Sequence, residues 1–183
     1  GPGANDIDIV DAVGLDMGTP TSGLLAVELN DGNFDAGDSS LFVSPELTGL
    51  NVGDKQIRFQ AAAEDLTCEL FIGVLDNPYY SSSLTILDTI TFSAIDVFNE
   101  YTVYLNDPVA LGSAKHIVFI HGNTSYEIGI DDFYYELMPS CPDPSALSAS
   151  NITDVSADLT WTENGTATQW NIEYGPTGFT QGS

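Results

Sequence analysis

The stretch Ile128-Gly129-Ile130-Asp131-Asp132-Phe133-Tyr134-Tyr135-Glu136 and the Ser140-Cys141-Pro142-Asp143-Pro144 that follows it decide how this chain is read. Ile128 and Ile130 place apolar side chains at even positions, whereas Phe133, Tyr135 and Leu137 place them at odd ones. A strand alternates its side chains with a period of two, so it can change phase only by taking up an extra residue. The pattern therefore predicts a β-bulge at Asp131-Asp132, which would re-aim two adjacent carboxylates. A continuous strand with one buried, hydrogen-bonded aspartate is the alternative. The Pro-rich joint after it reads as the end of one β-sandwich and the start of another.

Working outward, helical periodicity is nearly absent, and short alternating segments are separated by Gly, Pro, Asn and Asp. Ile57, Phe59 and Ala61 alternate with Gln56, Arg58 and Gln60, which predicts a strand with one buried and one wet face. Cys68, Leu70, Ile72 and Val74 share one face of the next strand, which ends at Asp76-Asn77-Pro78. Leu84 to Phe92 and Tyr101 to Leu105 follow the same rule. Apolar residues on both faces of Ile117 to Ile120 predict a central strand. Beyond Ser140 there are three more strand signals, Ala146 to Ala149, Ala157 to Thr162 and Gln169 to Tyr174. The fold class expected is all-β, with one domain over residues 1–139 and a second over residues 140–183.

The chain of 183 residues carries 27 acidic side chains against Lys55, Arg58 and Lys115, a formal charge of −24. Such a field repels nucleic acid and anionic membranes and favours cations and basic partners. With 43% hydrophobic residues in strand-like runs, the acidity does not imply disorder. No apolar run approaches the roughly 20 residues of a membrane span, so direct membrane insertion is not expected. Gly1-Pro2-Gly3 reads as a scar of protease processing, with native sequence as the alternative. For Cys68 a buried thiol and a disulfide with Cys141 are the two readings.

Several motifs resemble known secreted modules. Leu47 to Phe59, Phe71 to Leu75, Tyr101 to Leu105 and Ile130-Asp131-Asp132-Phe133 resemble the MAM-like jelly-roll domains of secreted Bacteroidetes proteins, over residues 20–139. Cys141-Pro142, Ser156 to Trp161 and Trp170 to Pro176 resemble the opening of a fibronectin type III domain from the same bacterial group. That resemblance implies strands A to C, with Trp161 in the core and Trp170 and Tyr174 on strand C. Such a domain needs about 100 residues, so the second domain is expected to be incomplete and the chain part of something longer. The resemblance implies an extracellular or cell-surface setting and a noncatalytic role in recognition or adhesion. A polysaccharide or a surface protein is the expected partner. A structural spacer in a surface adhesin or filament, self-assembling through the incomplete domain, is the alternative, as is an accessory region of a secreted hydrolase.

Two candidate sites emerge. Asp31, Asn33, Asp35 and Asp38 offer hard oxygen ligands at alternating spacing, as calcium requires. Ala36 and Phe42 stand where an EF-hand needs glycine and glutamate, so this is not an EF-hand. The jelly-roll resemblance implies a structural calcium, with Asp131 or Asp132 as the second contributor. The other alternative is a solvated acidic turn. Tyr79 and Tyr80, followed by three serines, form a candidate ligand-binding loop in which exposed rings could stack on sugars. Packing beneath the loop is the other reading, and Tyr101, Tyr104, Tyr126, Tyr134 and Tyr135 are read as packing residues of strands. His116 and His121, five apart on one strand, face opposite ways and cannot share a metal. No serine elbow, His-Glu-x-x-His, phosphate loop or Cys-x-x-Cys is present, so the chain is not expected to be an enzyme.

Overall fold

The computed structural model describes residues 7–11, 25–29, 40–79, 83–122, 126–176 and 178–180, with backbone alone for residues 7–11 and Leu25. The chain divides into two compact units, Gly1–Leu137 and Met138–Ser183. The first is a jelly-roll β-sandwich. One sheet has the order β1 (Ile7–Asp11), β2 (Leu25–Leu29), β9 (Ile128–Leu137), β4 (Lys55–Ala63) and β7 (Asn99–Leu105). The other has the order β3 (Leu41–Val43), β8 (His116–His121), β5 (Glu69–Leu75) and β6 (Thr85–Thr91). All pairings are antiparallel. From β2 to β5 the chain alternates between the sheets, and it does so again from β7 to β9, which places sequence neighbours on opposite layers.

The alternation read from the sequence builds the core. Ile57, Phe59 and Ala61 of β4 are fully buried and meet Leu70, Ile72 and Val74 of β5 and Ile117 and Phe119 of β8 in one apolar cluster. Phe119 lies at its centre, edge-on to Phe59 at 5.0 Å and to Phe133 at 5.7 Å between ring centroids. Such aromatic pairs add about 0.5–1.5 kcal/mol each beyond the area they bury. As expected, β8 is central, flanked by β3 and β5. His116 and His121 are both buried on it. The Nδ1 of His116 lies 2.9 Å from the Ser44 carbonyl oxygen, and the Nε2 of His121 lies 2.6 Å from that of Tyr126.

The phase change in β9 is a bulge. Arg58 pairs with Tyr134 and Gln60 with Asp131, so Phe59 alone stands opposite both Asp132 and Phe133. Asp132 takes the left-handed backbone conformation, φ 50°, and its amide donates to Asp131 Oδ1 at 2.8 Å. Aspartate tolerates this region better than most residues because its short carboxylate bonds locally. Ile128 and Ile130 join the core before the bulge, and Phe133 and Tyr135 pack on it after the bulge. Leu137, expected to face inward with them, is 65% exposed. It is the last residue of β9 and pairs with Lys55, the first residue of β4.

Among the described residues one α-helical turn forms, α1 (Pro108–Leu111), capped by Asp107, which accepts from the amides of Val109 and Ala110. Cys68 is buried and Cys141 exposed, and no disulfide joins them.

In the second unit, β10 (Ser145–Ser150) pairs antiparallel with β11 (Asp158–Thr162). Thr153 Oγ1 orders the connecting turn by accepting from the amides of Val155 at 3.2 Å and Ser156 at 2.9 Å. The third strand signal, Gln169 to Tyr174, does not become a strand. Its Trp170 instead lies edge-on to Trp161 at 5.2 Å and donates from Nε1 to Glu163 Oε2 at 2.9 Å. Trp161 is half-buried, while Leu147, Ile152, Val155 and Tyr174 are all exposed.

Candidate functional site

Because Ile57, Phe59 and Ala61 face the core, Gln56, Arg58 and Gln60 must face the other side of the five-stranded sheet. Register then determines their neighbours. On β7, Tyr104, Thr102 and Glu100 stand opposite Gln56, Arg58 and Gln60. On β9, Glu136, Tyr134 and Asp131 take the same places on the other flank. Three adjacent strands thus present one polar face about 10 Å across, at the usual strand spacing of about 4.8 Å.

Arg58 is at the centre of this face. Its Nη1 donates to Glu100 Oε2 at 2.9 Å and its Nε to Glu136 Oε1 at 3.2 Å, both diagonal cross-strand neighbours. Its guanidinium carbon lies 4.6 Å from the centroid of the Tyr134 ring, a cation–π contact. Gln56 Nε2 donates to the same Glu136 Oε1 at 2.9 Å. Held by three side chains, Glu100, Glu136 and Tyr134, the guanidinium is fixed rather than searching solvent. Two of its five N–H donors serve the glutamates, and the others meet no acceptor among the described residues. Gln56 is itself buried, so its part is to position Glu136. Tyr134 is 45% exposed.

The charges reinforce one another. The bonds to Glu100 and then to Glu136 raise the Arg58 pKa above its ordinary value. The bonds from Gln56 and then from Arg58 hold the Glu136 carboxyl below the usual glutamate range. A lowered carboxyl pKa is the opposite of the shift that the general acid of a glycosidase uses. What the face offers is an aromatic ring beside fixed donors and acceptors. Sugar recognition uses that combination, since each hydroxyl both donates and accepts and each pyranose has apolar C–H faces.

Of the residues expected from the sequence to form a site, Asp131 stands on this face opposite Gln60. Tyr79 is 88% exposed on the connection between β5 and β6 of the other sheet, its amide donating to Asn77 Oδ1 at 2.9 Å. Tyr80, Asp31, Asn33, Asp35 and Asp38 lie outside the described residues. Asp131 and Asp132 are half-buried at the bulge, at the edge of the Arg58 face. Among the described residues no group of three or more His, Cys, Asp or Glu side chains could hold a metal. Sequence reading classed Tyr134 with the packing aromatics, yet it belongs to the outer face. The signal was there in the phase change, which sends Tyr134 to the side opposite Phe133 and Tyr135.

A cleft of about 200 Å3 lined by Ile86, Leu87, Tyr104, Asn106, Asp107 and Leu111 opens at the end of β7. It is smaller than the roughly 300–1,000 Å3 of small-molecule pockets, so the open sheet face is the larger surface for a ligand.

The fold that carries this face is an antiparallel two-sheet β-sandwich. No family model and no curated protein matches the sequence. Among solved structures, the chain is similar to the K2 cleaved adhesin domain of Lys-gingipain, at 18% identity over 75% of this chain and 86% of that one, with a TM-score of 0.55. The K1 cleaved adhesin domain of the same protein from Porphyromonas gingivalis W83 gives 16% identity over 73% and 91%, at a TM-score of 0.48. A family 30 carbohydrate-binding module gives 13% over 80% and 79%, at 0.49. At 18% identity, the likeness to the K2 domain is one of fold.

Proposed function

We propose that this chain is a noncatalytic recognition module of a secreted or surface-attached protein, and that it binds glycan on the outer face of its five-stranded sheet. The observation that carries this reading is the cluster of Arg58, Tyr134, Glu100, Glu136 and Gln56, an exposed ring beside donors and acceptors held in place by one another. An adhesin domain of the same fold supports the noncatalytic reading. No helix among the described residues is long and apolar enough to cross a membrane. The finer assignments belong to the same proposal: a MAM-like first domain, and a fibronectin type III-like second one whose exposed apolar side chains await further strands.

Calcium is a secondary element, bridging residues 31–38 to Asp131 or Asp132 and holding the loops rather than the ligand. Incubation of the chain on an array of plant, marine and host polysaccharides tests the main reading. Binding to at least one glycan is expected. Absence of binding across the array would favour a structural spacer.

A further inference from the structure

The chemistry of the outer face also restricts the kind of glycan. The chain has three basic side chains, and each is already in an ion pair. Lys55 Nζ lies 2.6 Å from Asp54, Lys115 Nζ lies 3.1 Å from Glu46, and Arg58 is shared between Glu100 and Glu136. On the proposed binding face the single cation is outnumbered by Glu100, Glu136 and Asp131. A uronate or sulfate reaching the remaining Arg58 N–H groups would enter between Glu100 and Glu136 and be repelled by both, within a protein of net charge −24. An amino sugar is drawn by the same carboxylates, but its ammonium has no lone pair and cannot accept from the remaining Arg58 N–H groups. A sugar hydroxyl meets neither obstacle, because it can accept from the remaining Arg58 N–H groups and donate to glutamate oxygens without displacing either ion pair.

We infer that the ligand is an uncharged polysaccharide and that acidic polysaccharides are excluded by the carboxylates that flank Arg58. This rests on the outer-face reading given under Proposed function. The test compares three probes at 50 mM and 500 mM NaCl: neutral galactan and glucan, polygalacturonate, and chitosan. Neutral binding should change less than twofold with salt, since no net charge is neutralised on binding. Polygalacturonate should bind at least tenfold more weakly at low salt. Chitosan, drawn by the general field alone, should lose its binding at high salt. The double substitution Glu100→Gln with Glu136→Gln leaves Arg58 uncompensated, and should raise polygalacturonate binding at least tenfold.

Tight polygalacturonate binding by the unmodified chain, or salt-resistant chitosan binding exceeding that of the neutral glycans, overturns the inference while leaving a glycan-binding face intact. No gain in the double variant overturns the assignment of exclusion to this pair. Binding of none of the three probes removes the outer-face reading together with the inference.

Discussion

Straightening β9 at Asp132 would invert the face beyond it. If β9 paired with β4 residue for residue from Gln60 onward, Asp132 would stand opposite Phe59. Phe133 and Tyr135 would then turn outward, and Tyr134 and Glu136 would turn into the core. Phe133 and Tyr135 are each partly buried against the core, so exposing them costs about 1–1.5 kcal/mol apiece, half of full burial. The edge-to-face contact of Phe133 with Phe119 at 5.7 Å contributes about 0.5–1.5 kcal/mol more. The Tyr135 hydroxyl also gives up its bond to the Thr48 carbonyl, 3.0 Å, worth about 0.5 kcal/mol. The sum is roughly 3–5 kcal/mol, a large part of a typical domain stability of about 5–15 kcal/mol. Asp132→Val forces a β-branched residue to φ 50°, a strain of about 1–2 kcal/mol. That is less than straightening costs, so the bulge should persist and urea unfolding should show a loss of about 1–2 kcal/mol. Asp132→Gly suits φ 50° and should hold or raise stability, by up to about 1 kcal/mol. Deleting Asp132 leaves Phe133 opposite Phe59 and Tyr134 opposite Arg58, so every facing is kept and the loss should stay within about 1 kcal/mol. A deletion variant destabilised by roughly 3 kcal/mol or more would refute the reasoning, because Asp132 would then not be the extra residue.

Other perturbations test separate parts of the account. Phe59→Ala, at a fully buried position touching Phe119 and Tyr101, should lower stability by about 3–5 kcal/mol in the same urea assay. Gly73→Ala would place a Cβ 2.9 Å from both Leu84 Cδ1 and the Thr85 carbonyl oxygen, and thermal melting should show a loss of about 1–3 kcal/mol. The pKa of Glu136 is lowered by folding, so its contribution is complete above the ordinary glutamate value of 4.5 and disappears as pH falls through the folded value. That of Arg58 is raised, so its contribution persists until well above pH 12. Stability and ligand affinity should therefore show no transition from this cluster between pH 6 and 9, and Glu136→Gln should remove the cluster's share of the acid limb in a pH series of melts. Calorimetric titration with calcium after chelation should give binding and a rise in melting temperature, and neither heat nor shift would remove the calcium proposal.

The fold was legible because its signals are local. Alternation along residues 56–61 separated a buried from a wet face, and the parity change from Ile130 to Phe133 located the bulge before any pairing was known. The site was less legible because it is a property of register. Arg58 is 76 positions from Tyr134 and 78 from Glu136, and only the extra residue opposite Phe59 brings Tyr134 rather than Phe133 beside it. Leu137 shows the limit of parity, since alternation alone does not bury the final side chain of a strand. Gln169 to Tyr174 shows another. An alternating pattern selects a face, but a strand also needs a neighbouring edge in register, and β10 and β11 pair with each other alone.

The most direct measurement is the affinity of the chain for the neutral polysaccharide it binds best, by isothermal titration calorimetry, compared with that of Tyr134→Ala and Tyr79→Ala. The outer-face account predicts at least a tenfold loss for Tyr134→Ala, an unchanged affinity for Tyr79→Ala, and urea midpoints close to the parent for both. Full affinity in Tyr134→Ala, with the loss at Tyr79→Ala instead, would contradict it and move recognition to the connection between β5 and β6.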